Sequence, residues 1–162
     1  MKVLALDVSG NFNEGKGISG LCLMIDGKPK ELYDIKARDF NCAEAYWQAH
    51  VNVIRAFKPD IVIMEGYRLY NHAGKRASTQ ANSELETPQL IGAIKLWCYM
   101  HDIPVIIQYA SEVKSRWNDD VLVNTGYIDQ SGKRYFFKNK ITNDHKRDAL
   151  RHALHYGRYG AK

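Results

Sequence analysis

The chain has 162 residues and a formal net charge of +5, with 45% hydrophobic and 25% charged residues. This length is enough for one domain with a real core, and the composition is that of a globular protein rather than a disordered or fibrous one. We therefore expect a single domain over 1–162. No apolar run approaches the roughly 20 residues that span a bilayer, so no membrane partner is expected.

The cysteines indicate a reducing environment. Cys22, Cys42 and Cys98 are scattered and form no C-x-x-C pair, which argues against a disulfide framework or a zinc knuckle. A cytoplasmic protein is therefore expected. The first residues lack the uncharged core and the small-residue cleavage site of a secretion signal, and they are typical of a first strand.

Positive charge is concentrated in the last fifth of the chain. The segment Ser131–Lys162 contains nine Lys or Arg residues and two acidic residues, and the rest contains fourteen basic and sixteen acidic residues. A basic segment on a near-neutral body is typical of a protein that binds a polyanion such as nucleic acid. The alternative is a solvated basic tail.

The N-terminal part predicts three consecutive antiparallel strands. Lys2–Val8 and Gly17–Asp26 are apolar and strand-like, and a turn over 26–29 leads to a third segment, Glu31–Lys36. Asp-Gly between two such runs is a strong hairpin signal.

Helical and strand-like patterns alternate in the remaining chain. Ala43–Phe57 has apolar residues at a helical period, and Ile61–Met64 is an uninterrupted apolar run, typical of a strand buried on both faces. The later predicted elements are a helix over Ser83–His101, a strand over Pro104–Tyr109, a short helix capped by Ser111, and a final helix over Asn143–Tyr156 capped by Asn143 or Asp144. The segment Trp117–Lys140 shows only a small hairpin pattern around 130–132. This order predicts a three-layer α/β domain in which helices flank a mixed sheet.

Two acidic residues stand at the ends of predicted buried strands. Asp7 ends the first strand and Glu65 ends the fourth. A carboxylate in such a place is costly unless it is paired or bound to a metal. Either acid alone would also fit a salt bridge or a hydrogen-bonded strand end, but two of them on strands that can be neighbours favour a shared site.

A further acidic group lies at the start of the final helix, in the segment Asp144-His-Lys-Arg-Asp148. His145 and Asp148 are three residues apart and share one helix face, and Asp144 is close to that face. The apolar residues that follow can pack on the sheet and direct the acidic face toward the strand ends. Alternatively, Asp144 is only a cap, and Asp148 is a partner of Arg151 or Lys146.

Three or four carboxylates with a histidine suit Mg²⁺, for which Mn²⁺ is expected to substitute. Two such ions about 4 Å apart can activate a water on one side of a phosphodiester and stabilise the leaving oxygen on the other. A second interpretation uses His145, Asp148, His152 and His155, whose imidazoles would favour zinc or iron. That interpretation leaves Asp7 and Glu65 without a role.

Taken in order, these motifs resemble those of the RuvC family of Holliday junction resolvases, especially its small phage-borne members, within the RNase H-like superfamily. Asp7-Val-Ser-Gly10 followed by Gly17–Leu23 is similar to the family's opening strand, acid, glycine turn and second strand. The other similar segments are Pro59–Glu65 with the second acid, Gln89–Ile94, Pro104–Tyr109, Tyr109–Lys114 with a functional lysine, and the final acidic motif His145–Leu150.

The resemblance implies an RNase H-like fold and a homodimer that recognises four-way DNA junctions. It implies paired nicks that leave 5′-phosphate and 3′-hydroxyl ends, and a bacterial host cytoplasm if the chain is phage-encoded. By position, Asp7, Glu65 and Asp148 would be catalytic metal ligands and His145 a ligand or helper. Lys114 would contact the scissile phosphate or balance developing charge. Asp144 has no firm counterpart and is kept as an additional candidate ligand.

The expected DNA contacts are basic and aromatic residues after Glu65 and in the C-terminal part: Tyr67, Arg68, Tyr70, Lys75, Arg76, Lys114, Arg116, Lys133 and Lys138. Stacking of a base on an aromatic side chain contributes about 1–3 kcal/mol, so a tyrosine after Glu65 would help to hold a junction open. The alternative is that these tyrosines only pack a loop. The segment Ser115–Lys140 departs from the family pattern, which leaves a second catalytic lysine undecided.

Three other functions share some of these features. A nuclease acting on RNA–DNA hybrid or flap DNA would use the same active-site residues. A non-catalytic junction-binding module would share the fold, although intact acids argue against it. An ATP-using domain of the actin-like fold also opens with an Asp-containing strand, but it normally needs two such domains. The helix predicted over Ser83–His101 is the expected dimer interface, or else a core helix of a monomer.

Overall fold

A five-stranded mixed sheet forms the centre of the structure, a computed structural model that describes residues 1–68 and 85–160. Its strands are β1 (Lys2–Asp7), β2 (Ile18–Ile25), β3 (Lys28–Lys36), β4 (Ile61–Glu65) and β5 (Val105–Gln108), in the spatial order β3-β2-β1-β4-β5. The first three strands are antiparallel, β4 runs parallel to β1, and β5 runs parallel to β4. The predicted α/β fold with this strand arrangement is confirmed.

Helices cover both faces of the sheet. They are α1 (Ala43–Phe57), α2 (Glu86–Met100), α3 (Ala110–Lys114), α4 (Asp119–Asn124) and α5 (Asp144–Tyr159), with a 3₁₀ turn over Ala37–Asp39. Side chains alternate along β1, so that Leu4 and Leu6 pack toward α1 and α2. Val3 and Ala5 pack toward α5 on the other face. None of the helices in the described ranges is long and apolar enough to cross a membrane.

The β2–β3 hairpin turns where the sequence predicts it. Asp26 and Gly27 both have positive φ, 50° and 73°, which is the backbone that a two-residue hairpin with matching strand twist requires. β3 begins at Lys28 rather than at the predicted Glu31, and it accommodates Pro29 because it is an edge strand.

Two details of the predicted helices were wrong, and one open alternative is decided. The short helix α3 begins at Ala110, after Tyr109, so Ser111 lies within it and does not cap it. Of the two predicted caps of α5, Asn143 is the one that the structure shows, because its side chain accepts a hydrogen bond of 2.8 Å from the Lys146 backbone nitrogen. The helix also continues to Tyr159, three residues beyond its predicted end.

The segment for which the sequence predicted only a small hairpin around 130–132 contains that hairpin, within a second sheet of three antiparallel strands, and the helix α4. These strands are β6 (Asp129–Ser131), β7 (Arg134–Phe137) and β8 (Lys140–Ile141), and Gly132 with φ of 60° turns the hairpin between the first two. Trp117, Leu122 and Phe137 are buried against the face of the main sheet that α5 covers. This unit therefore packs beside the start of α5.

Candidate active site

Three acidic residues meet at one edge of the main sheet. Asp7 and Glu65 end the neighbouring parallel strands β1 and β4, and the preceding residues Leu6 and Met64 are directly paired. Asp148 lies in the second turn of α5 and is only 7% exposed. The charges of Glu65 and Asp148 both act on Asp7, so the three predicted acids form one cluster.

A glycine on β2 brings α5 to this edge. Gly20 pairs with Asp7 across the β1–β2 ladder. A Cβ atom at Gly20 would lie 2.7 Å from the backbone nitrogen of Lys146 and closer still to the carbonyl group of His145. Because Gly20 has no side chain, the first turn of α5 rests directly on β2 and carries His145 to Asp7.

His145 is hydrogen-bonded to Asp7, with 2.8 Å between Nδ1 and Oδ2. This hydrogen bond raises the pKa of His145, against the opposing effect of burial. Burial also raises the pKa of Asp7; the hydrogen bond from His145 opposes that rise, and the charges of Glu65 and Asp148 add to it. The negative charge of the Asp7 carboxylate is therefore unfavourable at this position unless a cation lies near it.

Glu65 is oriented by a histidine whose role the sequence did not reveal. His152 is fully buried, with its Nε2 at 2.9 Å from Glu65 Oε2 and its Nδ1 at 2.9 Å from Gln108 Oε1. Gln108 stands beside Glu65 on β5. The available signal was the spacing of His152, one helical turn beyond Asp148 on the same face of α5.

Asp148 is held by two cations. The Lys114 ammonium lies 2.8 Å from its Oδ2, and Arg151 donates to its Oδ1. Arg151 also donates to Asp119 and, at 2.6 Å, to the carbonyl oxygen of Trp117. Burial works to lower the pKa of Lys114, but the hydrogen bond to Asp148 and the nearby carboxylates raise it. Lys114 therefore brings a positive charge among the three acids.

Two of the alternatives for this helix are resolved by these contacts. Arg151 is indeed a partner of Asp148, whereas Lys146 lies 3.5 Å from Asp34 instead. Asp144 is 85% exposed and pairs with Arg147, so the structure does not bring it into the acidic cluster.

The donor chemistry of the cluster fits a hard divalent cation, because Asp7, Glu65 and Asp148 offer carboxylate oxygens. Each of these carboxylates has a hydrogen-bonding or ion-pair partner. In the described ranges no three His, Cys, Asp or Glu side chains are arranged as a preformed metal cage. The histidine-rich alternative is also not assembled. His145 is hydrogen-bonded to Asp7, whereas His152 is hydrogen-bonded to Glu65. The ring of His155 packs against the ring of Tyr159, with 4.9 Å between their centres.

The expected DNA contacts lie in several places. Tyr67 and Arg68 are exposed beside Glu65, and the Arg68 guanidinium stacks 3.4 Å from the centre of the Tyr109 ring. Arg116 lies over the Tyr159 ring at 4.7 Å. Lys133 and Lys138 are exposed in the two turns of the second sheet, between β6 and β7 and between β7 and β8. The remaining expected contacts, Tyr70, Lys75 and Arg76, lie outside the described residues.

No protein-family model matches the chain, and no curated protein matches it in sequence. Solved structures do match. RuvC of Thermus thermophilus in complex with a Holliday junction substrate has a TM-score of 0.65 and 18% identity, over 99% of this chain and 97% of that chain. Another T. thermophilus RuvC structure has the same score and identity, over 99% and 98%. The Fowlpox virus resolvase in complex with Holliday junction DNA has a TM-score of 0.51 and 12% identity, over the whole of both chains. The chain therefore has the RNase H-like fold of RuvC.

Proposed function

We propose that this protein is a metal-dependent endonuclease that resolves four-way (Holliday) and other branched DNA junctions. It would make paired symmetric nicks that leave 5′-phosphate and 3′-hydroxyl ends. The observation that carries the proposal is the convergence of Asp7, Glu65 and Asp148, with Lys114 among them, at one sheet edge of this fold. The two neighbours solved with Holliday junction DNA support the choice of substrate.

Asp7, Glu65 and Asp148 would hold Mg²⁺, or Mn²⁺ in its place, with His145 as a ligand or helper. When bound, the ion would activate the attacking water and stabilise the leaving oxygen of the phosphodiester. The raised pKa of Asp7 supports this assignment, because a cation relieves the burial of charge and the repulsion from the other two acids. Asp144 has the weakest support, since its side chain is turned to Arg147.

The chain's own cations and histidines would prepare the acids and the substrate. Arg151 and His152 fix the carboxylates of Asp148 and Glu65 by direct hydrogen bonds. Preorganisation of this kind avoids the cost of reorienting charged groups during the reaction. Lys114 is about half exposed, so its ammonium is accessible to a phosphate, and we expect it to contact the scissile phosphate and balance developing charge.

Branched DNA would contact the exposed residues around the cluster. Tyr67 and the Arg68–Tyr109 stack lie directly beside Glu65 and present flat surfaces suited to unpaired bases near a junction centre. The cationic residues Arg116, Lys133 and Lys138 would contact backbone phosphates, and Tyr70, Lys75 and Arg76 remain sequence-based candidates.

We propose further that the enzyme is a homodimer, since paired nicks in opposed strands need two active sites. Helix α2 supports this, because Leu96, Tyr99 and Met100 are 60%, 81% and 67% exposed and share one helix face. Light scattering should give twice the monomer mass for the wild type and a monomer for Tyr99→Glu. A wild-type monomer both with and without junction DNA would contradict the dimer.

The proposal is tested by cleavage of a labelled synthetic four-way junction alongside a linear duplex, a flap and an RNA–DNA hybrid, each in Mg²⁺, Mn²⁺ and EDTA. Asp148→Asn serves as the catalytic control. We expect metal-dependent nicks in branched DNA that the substitution abolishes while binding persists. Cleavage of the hybrid instead would make the protein a ribonuclease, and binding without cleavage in any metal would leave a junction-binding module.

A further inference from the structure

A groove rich in lysine lies between the edge strand β3, the β7–β8 hairpin and the start of α5. Its volume is about 120 Å³. Among the described residues that line it, four are lysines and one is acidic: Lys30, Lys138, Lys140, Lys146 and Glu31. The Tyr33 hydroxyl donates to the carboxylate of that single acid. We call this groove, with its four lysines, the lysine groove.

Hydrogen bonds across the groove hold its walls in place. Lys138 Nζ donates to the carbonyl oxygen of Lys30 at 2.7 Å, which joins the β7–β8 turn to the edge of the main sheet. On the α5 side, Asp34 accepts from the Asn143 side chain at 2.8 Å and lies 3.5 Å from Lys146 Nζ. The lysines therefore project from fixed backbone on both sides, a preorganised arrangement that reduces the entropy lost on binding.

The first turn of α5 separates the lysine groove from the acidic cluster. His145 points to Asp7, and the next residue, Lys146, lines the groove. A helix is only about 10–12 Å across, whereas one turn of DNA spans about 34 Å. A duplex arm whose phosphate lies at the acids therefore has other phosphates within reach of the groove.

We propose that the lysine groove binds backbone phosphates of the DNA arm that leads away from the cleaved strand. The inference rests on the proposed function and extends it to a second contact site, built from the β3 edge and the second sheet. The groove is lined by lysine ammonium groups and by apolar side chains that include Leu32 and Phe137. It therefore anchors a duplex irrespective of base sequence, and it contributes affinity rather than chemistry.

The test removes two exposed charges of the groove with Lys30→Gln/Lys140→Gln. Both side chains are exposed, and the Lys138 and Lys146 contacts that hold the walls remain. The matched control is Lys2→Gln/Arg55→Gln, which removes the same charge at the start of β1 and near the end of α1, away from the acids. Thermal unfolding of all proteins confirms that each variant is folded.

Affinity for the four-way junction is then measured over a range of salt concentrations, together with the cleavage rate at saturating protein. Each phosphate contact contributes about 0.9 to the slope of log affinity against log salt. The groove variant should lower that slope by about 2 and weaken binding, with the saturating cleavage rate unchanged. The control variant should match the wild type.

The outcomes separate the two proposals. A groove variant that binds like the wild type, while the wild type binds and cleaves junctions, would overturn the groove and leave the proposed function intact. A loss shared equally by the control variant would show that only net charge matters, and it would also overturn the groove. A wild type that does not bind branched DNA would overturn both proposals.

Discussion

The contact between α5 and β2 at Gly20 makes the acidic cluster sensitive to a single methyl group. In Gly20→Ala the added Cβ would lie 2.7 Å from the Lys146 backbone nitrogen and closer to the His145 carbonyl group. Non-bonded heavy atoms of this kind are comfortable at about 3.5 Å. Since the opposing atoms are backbone, no side-chain rotation relieves the clash. Because the His145 carbonyl oxygen would be the nearest atom, the start of α5 must move by about 1.5 Å.

This displacement affects stability and activity differently. Overpacking of a core costs about 1–3 kcal/mol, so we expect a loss of that size in the free energy of unfolding. The displaced first turn of α5 contains His145, and Asp148 lies one turn further along the same helix. Both side chains therefore shift relative to the two acids at the strand ends, Asp7 and Glu65. A misplacement of about 1 Å in an active site reduces the rate about 100-fold. DNA affinity, which depends on dispersed surface charges, should change only a few-fold.

Single-turnover cleavage of a four-way junction and denaturant unfolding measure the two effects. Gly157→Ala is the matched control, because it makes the same substitution later in α5, where the Cβ would lie 3.5 Å from Met24 Cε in an ordinary contact. It should keep the wild-type rate and gain about 0.5–1 kcal/mol, as expected for Gly to Ala within a helix. A Gly20→Ala protein with wild-type rate and stability would refute the close-approach argument.

Three further substitutions test the electrostatics of the fold. Asp7→Asn should abolish cleavage yet raise the denaturation midpoint, because it removes a buried charge that Glu65 and Asp148 repel; a lower midpoint would contradict this. Arg151→Met should cost about 1.5–3 kcal/mol in denaturant unfolding, because Asp148 keeps Lys114 and Asp119 keeps Arg147 but both lose the buried cation that they share; a neutral effect would show that the ion network is dispensable. Burial lowers the pKa of His50 from 6.5 to about 4, so the unfolded chain binds the extra proton as the pH falls below 6.5. The wild type should therefore lose up to about 3 kcal/mol between pH 6.5 and pH 4. Unfolding of His50→Gln should lack this loss, and an equal pH dependence in both proteins would contradict the assignment.

The main sheet could be predicted because its signals are local. The Asp-Gly turn, the helical period of Ala43–Phe57 and the apolar run that precedes Glu65 each lie within a few residues of sequence. Asp7 and Glu65 stood out because each ends a buried strand. Their proximity followed from parallel neighbours, whose carboxyl ends share one edge.

The pairing of Asp148 with Arg151 lay within one helical turn and was among the predicted alternatives, but the other partners of the acids could not be predicted because they depend on contacts between distant segments. His152 and Glu65 are 87 residues apart, and Arg151 and Asp119 are 32 apart. Several carboxylates were available to each cation, and only the packed fold selects among them. Of the second sheet only the hairpin around 130–132 was predicted, because β6 is three exposed residues long and offers no alternation of apolar and polar positions.

The proposed function requires that the acids at the strand ends cut junction DNA in pairs. The most direct measurement labels the two opposed strands of one four-way junction separately and incubates it with wild type or Asp148→Asn in Mg²⁺. Product sites are mapped, and DNA ligase is then added. We expect symmetric nicks from the wild type that ligase seals, and none from the variant. Nicks at unrelated positions, ends that ligase cannot seal, or equal cleavage by Asp148→Asn would contradict the proposed function.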